Sequence, residues 1–163
     1  MIDSRGKGID VSVSFELQGD FSAPAAGIRE QVVALLGDSL SPDRELLFVP
    51  DALWVDVSPP DAEDTDVTME LYGFRENVGI HFTLSKRNLE GGNVHMWDVV
   101  LSLLSHNPGD AVFLYNGDRV VLLRRDGEVT LNQDWDWDDE PTWVRSRLPA
   151  DVKTESIPVA RGD

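Results

Sequence analysis

From Ile9 to Leu17 the chain alternates strictly, with Ile9, Val11, Val13, Phe15 and Leu17 apolar and Asp10, Ser12, Ser14 and Glu16 polar. A period of two puts successive side chains on opposite faces, so this segment predicts a half-buried strand. After Gly19-Asp20, Ser22 is placed to cap a helix running from about Ala23 to Leu36. Pro24 falls in its first turn, Gly37 closes it, and Ile28, Val32, Leu35 and Leu36 form its apolar stripe. Leu46 to Val49 and Leu53 to Val57 read as short strands around Pro50-Asp51, the second stopping at Pro59-Pro60. Asp61 to Asp66 reads as an acidic loop, and Val67, Met69 and Leu71 alternate as a third strand of this half.

The pattern then begins again. Val78, Ile80, Phe82 and Leu84 alternate as a strand, and a helix opens near Asn93 and runs to about Ser105, where Pro108-Gly109 forbids continuation. Val94, Trp97, Leu101 and Leu104 are its expected core stripe. Strands at Ala111 to Tyr115, Arg119 to Arg124 and Glu128 to Asn132 follow, joined by Asn116-Gly117 and Asp126-Gly127, dipeptides that accept the positive φ of tight hairpins. The expected fold is α+β: a largely antiparallel sheet with two helices on one face, built from a duplicated β-α-β-β-β unit, its other face partly open. Residues 1–149 are expected as one domain and 150–163 as a mobile C-terminal tail with few apolar anchors, where Ile157 and Val159 could add an edge strand.

Composition narrows the function. A chain of 163 residues with 41% hydrophobic residues and five tryptophans supports a packed core despite a net charge of -16. Thirty carboxylates against fourteen Lys and Arg repel phosphates and anionic lipid heads, so the expected partner is a basic protein, not nucleic acid or membrane. Cysteine is absent, which removes disulfides, thiolate metal sites and thiol nucleophiles and fits a reducing, cytoplasmic setting. The first eight residues hold no apolar leader stretch, and the longest apolar runs are strand-sized.

Catalytic chemistry finds little purchase. Alternation puts His81 with Gly79 and Thr83 on the sheet face opposite the core. His95, Asp98 and Ser102 share a helix face, but a triad serine must be reached by an imidazole from outside its own turn. Gly91-Gly92 stands without a phosphate-loop lysine, and no zinc-binding spacing is present. The reading is a non-enzyme without cofactor or metal.

The most unusual stretch is Trp135, Asp136, Trp137, Asp138, Asp139 and Glu140, preceded by Asp134. If extended, it presents the tryptophans on one side and Asp134, Asp136 and Asp138 on the other. A calcium loop would need glycine where Asp139 stands and a bidentate glutamate where Arg145 stands, so that assignment fails. Between Asp126 and Glu140 there are seven acids and no Lys or Arg, so their potentials add within a Debye length of about 8 Å. Two readings compete. In one, both tryptophans are core and the acids merely face water. In the other, the segment is a recognition patch, with Asp61, Glu63, Asp64 and Asp66 as a second cluster.

The order of features from Ile80 to Trp137 resembles the immunity proteins of the myxobacterial swarm-inhibition toxin systems. The resemblance rests on the strand Ile80 to Leu84 with Lys86, a long helix ending at Asn107-Pro108-Gly109-Asp110-Ala111-Val112, then Leu114-Tyr115-Asn116-Gly117, Val120 to Arg124 and Leu131-Asn132 before an aromatic. Tyr72-Gly73-Phe74-Arg75 is similar to the family's turn before that strand. The resemblance implies a cytosolic antitoxin that neutralises a cognate toxin by direct binding, and it carries over no catalytic residue. Charge makes that toxin basic and nuclease-like. The alternative is an adaptor or assembly module that binds a protein or peptide on its open sheet.

Overall fold

The computed structural model describes residues 13–158, so Ile9 to Ser12 and Val159 lie outside the described residues. One sheet carries β1 (Val13–Gly19), β2 (Leu47–Val49), β3 (Leu53–Ser58), β4 (Val78–Leu84), β5 (Ala111–Tyr115), β6 (Arg119–Arg125), β7 (Glu128–Asn132) and β8 (Lys153–Glu155). Their spatial order is β2-β3-β4-β1-β5-β6-β7-β8. Every neighbouring pair is antiparallel except β7 and β8. This is the α+β, largely antiparallel architecture that the alternation predicts. Both dipeptide turns behave as expected, with positive φ at Asn116, Gly117, Asp126 and Gly127.

Helices α1 (Ala25–Leu36) and α3 (Leu89–His106) pack on one face of the sheet. The main core lies there, where Ile28, Val32 and Trp97 meet Phe15, Leu17, Ile80, Phe82 and Phe113. Helix α1 starts two residues later than expected: Pro24 takes the N-cap position, no side chain caps it, and Ser22 plays no such part. Helix α3 starts earlier, because the Asn88 side chain accepts a hydrogen bond from the Gly91 amide and so satisfies one of the orphan N–H groups of the first turn. Gly91-Gly92 therefore belongs to the helix. At Gly92 a Cβ would stand 2.5 Å from the Ala52 carbonyl oxygen, so glycine sets the approach of α3 to the turn before β3.

The expected α3 stripe is too narrow. Met96, Val99, Val100 and Leu103 are buried as well, whereas Val94 is 37% exposed. The far side of the helix is covered by the chain after β7, including the short helix α4 (Trp143–Ser146), whose Trp143 and Val144 pack against the main core. The C-terminal end of α3 is closed by Arg124 of β6, which donates to the carbonyls of Leu104 (2.7 Å), Asn107 (2.5 Å) and Gly109 (2.7 Å). Carbonyls left free at a helix end carry partial negative charge, and a buried guanidinium with three fixed partners matches them.

One expected strand is a helix. Val67, Met69 and Leu71 lie in α2 (Ala62–Tyr72), and Asp61 is its N-cap, accepting from the Asp64 amide at 2.8 Å. Glu63 and Asp64 sit in the first turn, where the helix dipole favours acids, and Gly73 (φ 84°) closes the other end in the left-handed conformation. Six residues of alternation were outweighed by these two caps. Inward-facing Val67, Thr68, Leu71 and Tyr72 follow helical spacing, and Met69 is exposed. The first half thus runs strand, helix, strand, strand, helix, and the duplicated unit does not hold.

Helix α2 lies against the second sheet face. Thr68 Oγ1 donates to Gln18 Oε1 at 3.1 Å, and Tyr72 and Phe74 cover Val112, Leu114 and Val120. Beyond α2 no described element covers this face, and Trp54 is 47% exposed and stacked on Phe48 at 4.5 Å. In the 150–163 segment, β8 joins the edge beside β7 and Ile157 packs against the second cluster.

Candidate functional site: an acidic, tryptophan-floored groove

The chain leaving β7 does not stay extended. Asn132, almost fully buried, donates from Nδ2 to the Val120 and Ile157 carbonyls (2.7 and 3.1 Å) and accepts on Oδ1 from the Asp134 and Ile157 amides (3.0 and 3.1 Å). From this anchor the backbone folds back on itself, with Trp135 N–H donating to Asn132 O and Trp137–Asp139 forming a 3-10 turn. Both tryptophans nevertheless turn inward. Trp135 packs on Tyr115 and Phe15 (ring centroids 5.4 and 6.0 Å), and Trp137 packs on Trp97 of α3 at 5.8 Å. The turn, and not alternation, separates the rings from the acids.

Glu140 is the link between this segment and α3. Its Oε1 accepts from Asn93 Nδ2 (2.8 Å) and Trp97 Nε1 (3.0 Å), and its Oε2 accepts from Trp135 Nε1 (2.7 Å). A buried indole N–H needs an acceptor, and a carboxylate serving three donors forms charge-assisted bonds of the stronger kind. Glu140 therefore acts first as an internal tie. Asp134, Asp136, Asp138 and Asp139 remain exposed.

Between these parts opens a groove of about 1070 Å³. Phe15, Tyr115, Trp135 and Trp143 make its aromatic lining, Leu89 and Val94 of α3 supply exposed aliphatic surface, and Glu90, Asp134, Asp136 and Asp139 bring carboxylates to it. Among the described residues, Arg119 is the basic side chain in the lining. The carboxyl of Asp139 is raised above its ordinary value, first by its hydrogen bond with Asp136 and then by that neighbour's charge. Two acids held this close repel when both are ionised, and a cation between them removes the repulsion. An apolar floor with a predominantly acidic rim can hold a basic side chain by its charge and its stem together.

The second acidic cluster is elsewhere. Asp61, Glu63, Asp64 and Asp66 lie on α2, across the sheet from the groove. Asp61 is spent on the helix cap and Asp66 pairs with Arg75 at 2.8 Å. The two clusters do not form one patch. His81 faces the open side, as alternation predicts, 3.3 Å from Glu16. In the His95, Asp98 and Ser102 trio, Arg147 donates to Asp98 Oδ1 (2.8 Å) and Ser102 Oγ (2.9 Å). Among the described residues no group of three His, Asp or Glu is arranged to hold a metal ion, and no helix is long and apolar enough to cross a membrane.

Sequence reading missed Asn93, Trp97 and Arg119 as parts of this site. The available signal was the aromatic and apolar excess near the start of α3, but its register against the 134–140 segment is a tertiary fact. Compared with known proteins, residues 13–141 match a family model described as SitI3-like. No curated protein and no solved structure matches the chain.

Proposed function

We propose that this chain, which belongs to the SitI3-like family of immunity proteins, neutralises a cognate toxin by binding it directly through the acidic, tryptophan-floored groove. The toxin surface is basic, of the kind a nuclease uses to hold phosphates, and the exposed carboxylates of Asp136, Asp138 and Asp139 stand in for that anionic substrate. The observation that carries this reading is the juxtaposition of a rigid aromatic floor with acids that have no basic partner among the described residues, in a chain of this family. Aromatic anchors supply binding energy at the centre of an interface, and rim charges speed the encounter. The α2 cluster adds to the long-range field from the other side of the molecule.

Co-expression with the toxin encoded beside the gene tests neutralisation itself, since growth should return only when both are made. Replacing Asp136 and Asp138 together by Asn should slow association about 3- to 10-fold at low salt and flatten its salt dependence. Unchanged association kinetics with intact neutralisation would remove this patch from the interface. The exposed Trp54 and its stacked partner Phe48 favour a second reading, an adaptor that binds protein on the open sheet face. In that case Trp54→Ala abolishes partner binding, and the gene gives no protection against a neighbouring toxin.

A further inference from the structure

The groove already holds a guanidinium of the chain's own. Arg119 opens β6 directly after the Asn116-Gly117 turn, and its guanidinium carbon lies 5.3 Å from the centroid of the Trp135 ring. Its Nη2 donates to the Asp134 carbonyl at 2.8 Å. Among the described residues it forms no ion pair, although Glu90, Asp134, Asp136 and Asp139 line the same groove. A partly exposed cation held by one ring and one carbonyl is held weakly. Trp135 itself is fixed by Phe15, Tyr115 and the Glu140 carboxylate, so the seat persists when its occupant leaves.

We propose that the groove receives an arginine-bearing segment of the partner, whose guanidinium takes the place of Arg119 on Trp135 while a neighbouring aliphatic side chain rests on Leu89 and Val94. This rests on the reading of the groove as the toxin-facing surface. Three observations select that occupant. The groove volume of about 1070 Å³ exceeds one side chain, so a segment is accommodated. Among the described residues its carboxylates outnumber its one base, and incoming positive charge relieves the mutual repulsion of Asp136 and Asp139. The chain's own choice at the ring is the planar guanidinium, which stacks and donates sideways at once in a way an ammonium cannot. A second copy is disfavoured, because it would bring a like-charged rim against this one on molecules of net charge -16.

The test uses the full chain, the peptide acetyl-Gly-Arg-Leu-Arg-Gly-amide and its lysine counterpart, with the indole N–H signal of Trp135 and the backbone amide signals followed by NMR. The arginine peptide should shift the Trp135 signal and bind about 3- to 10-fold more tightly than the lysine peptide at the same salt. Arg119→Ala should tighten the arginine peptide by vacating the seat. Trp135→Leu should erase the preference for arginine, with unmoved backbone amide signals of β2 and β3, at the far edge of the sheet, as the control for folding. Equal affinities for the two peptides together with no response to Arg119→Ala would overturn the proposal, as would the absence of any Trp135 shift. Concentration-dependent self-association that shifts Trp135 without peptide would also overturn it, by making a second copy the occupant. Co-expression separates the levels: if protection against the toxin persists while the peptide experiments fail, direct neutralisation stands and the arginine seat falls.

Discussion

Replacing Glu140 by alanine removes the acceptor shared by Asn93, Trp97 and Trp135 and tests whether one carboxylate holds the 134–140 segment against α3. The three donors fare differently. Trp97 is fully buried, so its indole N–H is left without a partner, at a cost of about 1–3 kcal/mol. Asn93 and Trp135 are half-buried and recover water, so each loses only the net value of a hydrogen bond, about 0.5–1.5 kcal/mol. Removing a partly desolvated charge offsets some of this, leaving an expected loss of about 2–4 kcal/mol. That is a large share of the roughly 5–15 kcal/mol that stabilises a typical domain. Glu140→Gln keeps one acceptor oxygen for Asn93 and Trp97 but turns an amide N–H₂ toward the Trp135 N–H, so its cost should be about half as large. Urea denaturation followed by tryptophan fluorescence measures both; with a slope near 2 kcal/mol/M, the alanine midpoint falls by about 1–2 M. An alanine variant within about 0.5 kcal/mol of the parent, or a glutamine variant as damaging as alanine, would refute the argument that charge-assisted acceptance ties the segment down.

Two further perturbations probe the scaffold. Glu76 is 4% exposed, one of its oxygens is unpartnered, and burial raises its carboxyl above the ordinary value, with the charges of Glu16 and Asp64 adding to the rise. The folded state therefore keeps this proton when the unfolded chain has lost it. Glu76 costs nothing below its unfolded value of about 4.5, and stability falls as pH rises from there through the folded value. Glu76→Gln should raise stability at neutral pH by about 1–3 kcal/mol and flatten this part of the profile, as read by thermal melts between pH 4 and 8. Arg124→Met should leave the carbonyls of Leu104, Asn107 and Gly109 without their donor and cost about 2–4 kcal/mol, whereas Arg124→Lys recovers part of it. Hydrogen exchange should report the loss first at the last turn of α3.

The strands from β1 to β7, the two main helices and the hairpin turns were legible in the chain because they rest on local rules. Side chains alternate across a strand, and Asn-Gly and Asp-Gly accept positive φ wherever they occur. The α2 segment shows where a local rule misleads: six alternating residues suit a strand, but Asp61 and Gly73 satisfy the ends of a helix, and capping decided. The acidic tryptophan segment was visible as composition, and so was its unbalanced charge. Its shape was not, because it depends on Asn132 anchoring the turn, on Glu140 reaching Asn93 and Trp97 across 47 and 43 residues, and on Arg119 arriving from another strand. The separation of the two acidic clusters onto opposite faces of the sheet was equally out of reach, since it follows from where α2 docks. What the sequence determined by itself is a sheet-and-helix fold with a strongly acidic surface, set by periodicity, turn chemistry and charge. Only the tertiary structure decided which acids are tied inside, which stay free, and which rings they surround, because those outcomes depend on contacts between residues far apart in the chain.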